Sequence, residues 1–254
     1  MSAAVVPMRV KVCGLTRPED AALACELGAS LLGINFWPRS PRAVSPAQAR
    51  EVADAARGRA LLVGVFVNER PARIAEAVTT AGLDLVQLHG DEEPEVLGEL
   101  ARAGVAPGKT IRAFRVGAAF DAARETAPWE ACWGFLFDAA RPGMYGGTGT
   151  EWPWRRVAGI AEGTPGHATE RAPRRVLIAG GIGPDTLRRL VATAGDWRPG
   201  SPESAWRPGS PESAWRPWGI DVCSGVESAP GRKDVTKLRA LFEEVRDVEA
   251  PTLA

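Results

Sequence analysis

Short apolar runs alternate with longer amphipathic ones along the chain. The apolar runs predict strands at Arg9–Val12, Leu31–Phe36, Ala60–Val67, Leu85–Leu88, Thr110–Val116, Gly134–Phe137, Arg175–Ala179 and Gly219–Val222. Each is rich in Val, Ile, Leu or Phe and lacks strict polar alternation, as parallel strands buried on both faces do. Between them, helical patterns cover Pro18–Leu27, Pro46–Arg57, Pro71–Ala81, Pro94–Ala103, Trp154–Ala161, Pro184–Ala192 and Val235–Val245, with a shorter stretch at Ala118–Thr126. Proline in the first turn marks several starts, and Gly28, Gly82 and Gly104 stand where helices should end.

Strand and helix in strict alternation imply a parallel sheet. Eight such units in 254 residues fit a single-domain (β/α)8 barrel of about 250 residues. No G-x-G-x-x-G follows the first strand, which argues against an open dinucleotide-binding sheet. Two segments interrupt the regular spacing. One, 162–173, is polar with Gly, Pro and Thr. The other, 197–214, is a tandem duplication: Trp197–Ala205 recurs unchanged as Trp206–Ala214. Its Pro, Gly and Ser content cannot build a core, so it reads as a loop insertion. Both follow a predicted helix and precede a strand, which in a barrel puts them at the N-terminal face, away from the chemistry.

Composition narrows the function classes. Lys+Arg and Asp+Glu are both 31, so nothing in the charge balance suggests nucleic acid or an anionic membrane as a partner. The N-terminal residues do not read as a signal peptide, and no apolar run nears the roughly 20 residues of a membrane span. Cys13, Cys25, Cys132 and Cys223 form no C-x-x-C pair, which disfavours a zinc site or disulfide framework and suits a reducing, cytoplasmic protein.

In a barrel, catalytic groups follow the strands. Those positions here bring Cys13, Arg42, His89, Asp138, Gly180-Gly181 and Ser224-Gly225 to one face. Asp138 ends an apolar run and precedes a loop containing Gly146-Gly147-Thr148-Gly149. Turns after strands seven and eight, rich in glycine, suit a phosphate held by backbone N–H groups. A buried cysteine is most often a small hydrophobe. Opposite Asp138, however, Cys13 makes a base facing an acid, the equipment of a cofactor-free proton-transfer isomerisation. Lys11, two residues earlier on the same face of its strand, can lower the thiol's pKa. Arg42 sits in a proline-stiffened loop where a guanidinium can grip a carboxylate. His89 reads as a hydrogen-bonding site residue, and His167 falls in an insertion.

These residues carry a resemblance. Lys11-Val-Cys-Gly-Leu-Thr16, Gly33-Ile-Asn-Phe36, Ser40-Pro-Arg42, Gly64-Val-Phe-Val-Asn68, Val86-Gln-Leu-His-Gly90, Phe137-Asp138 with Gly146–Gly149, Ala179-Gly-Gly181 and Asp221-Val-Cys-Ser-Gly-Val-Glu227 occur in order over most of the chain. The chain thereby resembles the phosphoribosylanthranilate isomerases of tryptophan biosynthesis, which are (β/α)8 barrels. The resemblance implies an Amadori rearrangement of N-(5'-phosphoribosyl)anthranilate, a small-molecule phosphosugar substrate, with no cofactor and no metal, in a monomer or homodimer. It implies Asp138 as general acid and Cys13 as general base, with Arg42 on the anthranilate carboxylate. Gly147, Thr148, Gly149, Gly180, Gly181, Ser224 and Gly225 would enclose the phosphate end. Cys223 departs from the pattern, standing where a serine-like residue is expected. A related barrel that also accepts the analogous histidine-pathway substrate has a carboxylate base after strand one. Cys13 at that position speaks against it.

Overall fold

The computed structural model of the chain describes residues 8–139, 175–193 and 217–249. Eight parallel strands close into a barrel in chain order: β1 Arg9–Val12, β2 Leu31–Asn35, β3 Leu61–Phe66, β4 Leu85–Leu88, β5 Thr110–Val116, β6 Gly134–Ala139, β7 Arg175–Ile178 and β8 Gly219–Val222. Pairing of β1 with both β2 and β8 completes the ring. The described helices are α1 Pro18–Leu27, α2 Pro46–Ala56, α3 Pro71–Ala81, α4 Val96–Arg102, α5 Ala122–Thr126, α6 Pro184–Thr193 and α7 Val235–Glu249. The helix expected at Trp154–Ala161 and both insertions lie outside the described residues.

Most boundaries match the sequence reading, and the exceptions have local causes. α4 starts after Pro94 because its first turn is tightened, with Val96 and Leu97 donating to the carbonyls of Glu93 and Pro94 three residues back. α5 starts at Ala122 because the Asp121 side chain caps it by accepting from Arg124 N–H. Apart from three single 3-10 turns, one element among the described residues went unforeseen. A two-stranded antiparallel ribbon, β9 Glu227–Ala229 and β10 Arg232–Lys233, follows β8.

Two apolar layers hold the fold. The larger lies between strands and helices, for instance Val10, Leu32, Ile34, Leu62, Ile74, Phe135 and Leu241. The smaller plugs the barrel interior: Leu31, Val63, Leu85, Ile111, Leu136 and Leu177, with Trp133 and Trp218 against it. Successive strand residues face opposite sides. Two positions beyond the inward Leu85 and Leu136, the interior therefore carries polar side chains, Gln87 and Asp138.

Candidate active site

The same alternation places Lys11 and Cys13 on β1 and its end, Gln87 and His89 on β4 and its end, Asp138 on β6, and Asp221 and Cys223 on β8 and its end. Cys13, Asn35, Trp37, Arg42, His89, Asp138, Gly180, Gly181, Asp221, Cys223, Ser224 and Gly225 line one cleft at the C-terminal mouth. Every described residue that sequence reasoning assigned to the site is among them. Gly147, Thr148 and Gly149 fall outside the described residues.

Lys11 is wholly buried, and its Nζ lies 2.9 Å from Asp221 Oδ1. Room for it comes from Gly33. A Cβ there would stand 2.7 Å from Cys13 Sγ and 3.1 Å from Lys11 Nζ, so any larger residue on β2 would displace both. Burial pushes the Asp221 carboxyl up to about 7, against the opposing charge of Lys11. The Lys11 ammonium is held above its ordinary value; burial opposes this, but Asp221 and then Cys13 outweigh it. The Cys13 thiol is pulled well below the usual thiol range. The hydrogen bond from Cys223 is the main cause, and the charges of Lys11 and Lys233 add to it against the effect of burial.

Across the mouth, His89 Nδ1 lies 2.7 Å from Gln87 Nε2. With that amide as donor, the neutral ring carries its proton on Nε2. That atom faces Asp138 Oδ2 at 3.7 Å, longer than a direct hydrogen bond. Asp138 is almost fully buried. Asp221 lines the same cleft as Cys13 and Asp138.

Arg42 is held rather than free. Its Nε lies 2.9 Å from Glu227 Oε1, and its Nη2 2.6 Å from Oε2, a fork-to-carboxylate pair. Glu227 also accepts from Lys233 Nζ at 2.9 Å. Burial acts to raise the Glu227 carboxyl, but Arg42 and Lys233 together hold it below the ordinary glutamate range. The Arg42 loop is fixed as well: Ser40 Oγ accepts from Arg42 N–H, and Asn35 Oδ1 from Trp37 N–H. Sequence reasoning found Arg42 but missed Glu227. The only signal was its place at the end of the motif Asp221-Val-Cys-Ser-Gly-Val-Glu227.

The glycine turns after β7 and β8 meet. Gly180 and Gly181 are in the left-handed region, with φ of 99° and 69°. A Cβ on Gly225 would fall 2.2 Å from the Ile182 carbonyl oxygen. Thr186 ties the first turn to the start of α6 by donating to Gly181 O and accepting from Gly183 N–H. Other strand-end polar groups serve the scaffold. Asn68, Asp91 and Glu92 stitch the loops after β3 and β4, with Glu92 paired to Arg112. Arg115 pairs with Asp91. Among the described residues no group of three or more His, Cys, Asp or Glu is placed to hold a metal.

A family model described as N-(5'-phosphoribosyl)anthranilate isomerase matches residues 10–244. The chain belongs to the N-(5'-phosphoribosyl)anthranilate isomerase family. A family member from Myxococcus xanthus is 39% identical over 95% of this chain and 97% of its own length. One from Chlorobaculum parvum is 37% identical over 95% and 96%. The solved isomerase of Thermus thermophilus superposes with a TM-score of 0.72 at 33% identity, covering 95% of this chain and all of that one. Another solved isomerase, described in complex with reduced 1-(o-carboxyphenylamino)-1-deoxyribulose 5-phosphate, gives 0.70 at 27% identity over 94% and 99%. The closed barrel is thus the family's fold. No helix among the described residues is long and apolar enough to cross a membrane.

Proposed function

We propose that this isomerase converts N-(5'-phosphoribosyl)anthranilate to 1-(2-carboxyphenylamino)-1-deoxyribulose 5-phosphate with Asp138 as acid and Cys13 as base. The observation that carries these roles is their joint place in the lining of one cleft, three strands apart around the ring, with the touching glycine turns between them. Asp138 gives a proton to the furanose ring oxygen. The ring opens to a Schiff base. The Cys13 thiolate then removes the C2′ proton, and the enolamine formed tautomerises to the ketone. Arg42, aimed by Glu227, holds the anthranilate carboxylate. Backbone N–H groups at Gly180, Gly181, Ser224 and Gly225 hold the phosphate, with Gly147, Thr148 and Gly149 assigned to the same end from the sequence. The chain reads as one barrel domain, with 162–173 and 197–214 as insertions on the opposite face. The deciding test is the loss of substrate fluorescence when purified protein meets freshly made phosphoribosylanthranilate. Rapid decay is expected, and none from a folded protein would overturn the reading.

Two further outcomes follow from the geometry. A base must be deprotonated, so kcat/KM rises with pH through the Cys13 pKa and its acidic limb lies well below the ordinary thiol value of about 8.5. Cys223→Ala removes the hydrogen bond that chiefly lowers that value, so the limb moves to higher pH. Unchanged pH–rate profiles would count against the thiol as base. Gly225→Ala drives a methyl into the Ile182 carbonyl, which is backbone and cannot rotate away. The two turns are forced apart, and KM rises about tenfold, near 1.4 kcal/mol, with a smaller change in kcat. Steady-state kinetics with inorganic phosphate as competitor reads both effects.

A further inference from the structure

Beside the thiol assigned as base stands a second thiol that the proposed reaction does not consume. Cys13 and Cys223 directly follow Val12 and Val222, register partners in β1 and β8. Cys13 N–H donates to the Val222 carbonyl at 2.8 Å. Lys233 Nζ donates to the Cys13 carbonyl at 2.6 Å and lies 3.4 Å from that of Cys223, which ties the two backbones together just beyond the strands. Neighbouring strands run about 4.7–4.9 Å apart, within the roughly 4.4–6.8 Å of Cα separation that a disulfide spans. Both residues line the cleft, open to a small solute, and the Cys223 sulfur reaches toward β1: a Cβ on Gly14, the residue after Cys13, would stand 3.0 Å from Cys223 Sγ. Neither Cys25 nor Cys132 lines that cleft.

We infer that Cys13 and Cys223 form a redox modification site, a dithiol that a hydroperoxide closes into a reversible disulfide across β1 and β8, switching the isomerase off. The loss of activity rests on the reading of Cys13 as base; the disulfide itself does not. The Cys13 thiolate attacks one peroxide oxygen and the O–O bond breaks. Sulfur is oxidised to a sulfenic acid, and the departing hydroxide takes a proton to become water. The Cys223 sulfur then attacks the Cys13 sulfur. The S–O bond breaks, the S–S bond forms, and the leaving hydroxide takes the Cys223 proton as a second water. One peroxide is reduced and two thiols are oxidised. A dithiol reductant reverses the step by exchange. Lys11 and Lys233 favour the attacking thiolate, and the short strand-to-strand span favours Cys223 as the resolving partner. With Cys13 tied up in a disulfide, the group assigned to take the C2′ proton is gone.

The test treats the purified full chain with hydrogen peroxide and follows turnover, intact mass and a non-reducing peptide map. The wild type is expected to lose about 10²-fold or more of its rate, as loss of a general base does. It becomes lighter by two hydrogens, yields a Cys13–Cys223 linked peptide, and regains its rate with dithiothreitol. Cys223→Ser, normalised to its own untreated rate, is expected to gain oxygens at Cys13 and to regain little. If that variant does not fold, the wild-type map and recovery decide alone. Cys13 oxygenated without a linkage in the wild type, with activity lost for good, overturns the switch and leaves the base assignment standing. A complete linkage with turnover retained overturns both the switch and the base.

Discussion

Asp138→Asn lowers turnover of phosphoribosylanthranilate by about 10²–10⁴-fold, the usual contribution of a positioned proton donor. The amide keeps the shape of the carboxyl, but its N–H is far too weak an acid to protonate the ring oxygen. Asp138 is almost fully buried at the end of β6, so solvent does not replace it readily. KM changes little, because the group is assigned to the transition state and not to holding the substrate. Cys13→Ala is expected to lose a comparable factor at the deprotonation step. Both are read as fluorescence decay on fresh substrate. An Asp138→Asn enzyme that keeps more than about a tenth of the wild-type rate, against the range expected for such a group, would remove Asp138 from the role of acid.

Glu227→Ala is expected to have the largest effect on stability. The carboxylate is nearly inaccessible, and it receives Arg42, Lys233 and Gly231 N–H. Deleting it leaves two cations close together with no anion between them. Breaking a buried pair on one side costs about 3–5 kcal/mol. For a chain of this size each kcal/mol moves Tm by roughly 2–4 °C, so a fall of about 6–20 °C is expected in thermal unfolding. KM should rise as well, because Arg42 loses the carboxylate that aims it. The pH dependence has a definite sign. A glutamate held below its ordinary value stabilises the fold above the ordinary glutamate range, and that contribution is lost on acidification through it. Glu227→Gln should therefore flatten the acid side of the stability profile. A variant with wild-type Tm and the same acid profile would mean that Arg42 and Lys233 are satisfied elsewhere.

The fold was legible because local signals agreed with one another. Continuous apolar runs marked strands buried on both faces, and Pro46, Pro71 and Gly82 punctuated the helices as the structure does. Departures were confined to ends: a tight first turn and the Asp121 side chain set the starts of α4 and α5, and α7 runs on past Val245 to Glu249. The β9–β10 ribbon was not legible. Its strands are three and two residues long, too short to display a period.

The site divides along the same line. Residue order and the rule that barrel chemistry follows the strands sufficed to place Cys13, Arg42, His89, Asp138, Gly180, Gly181, Ser224 and Gly225 on one face. Those are statements about topology, which the hydrophobic pattern carries. Pairing across the ring is a different matter. Lys11 meets Asp221 across 210 residues of chain, and Arg42 meets Glu227 across 185. No local period encodes such meetings; strand register and the ribbon decide them. The hydrophobic pattern and the order of the motifs were thus enough to read the barrel, the family and the face that gathers the strand-end residues. Ring closure sets which charges neutralise one another, aims Arg42 with a buried carboxylate, and brings Cys13 and Cys223, far apart in the chain, to the lining of one cleft. The physical reason is that periodicity reports which way a side chain faces, whereas its partner is set by closure of the ring.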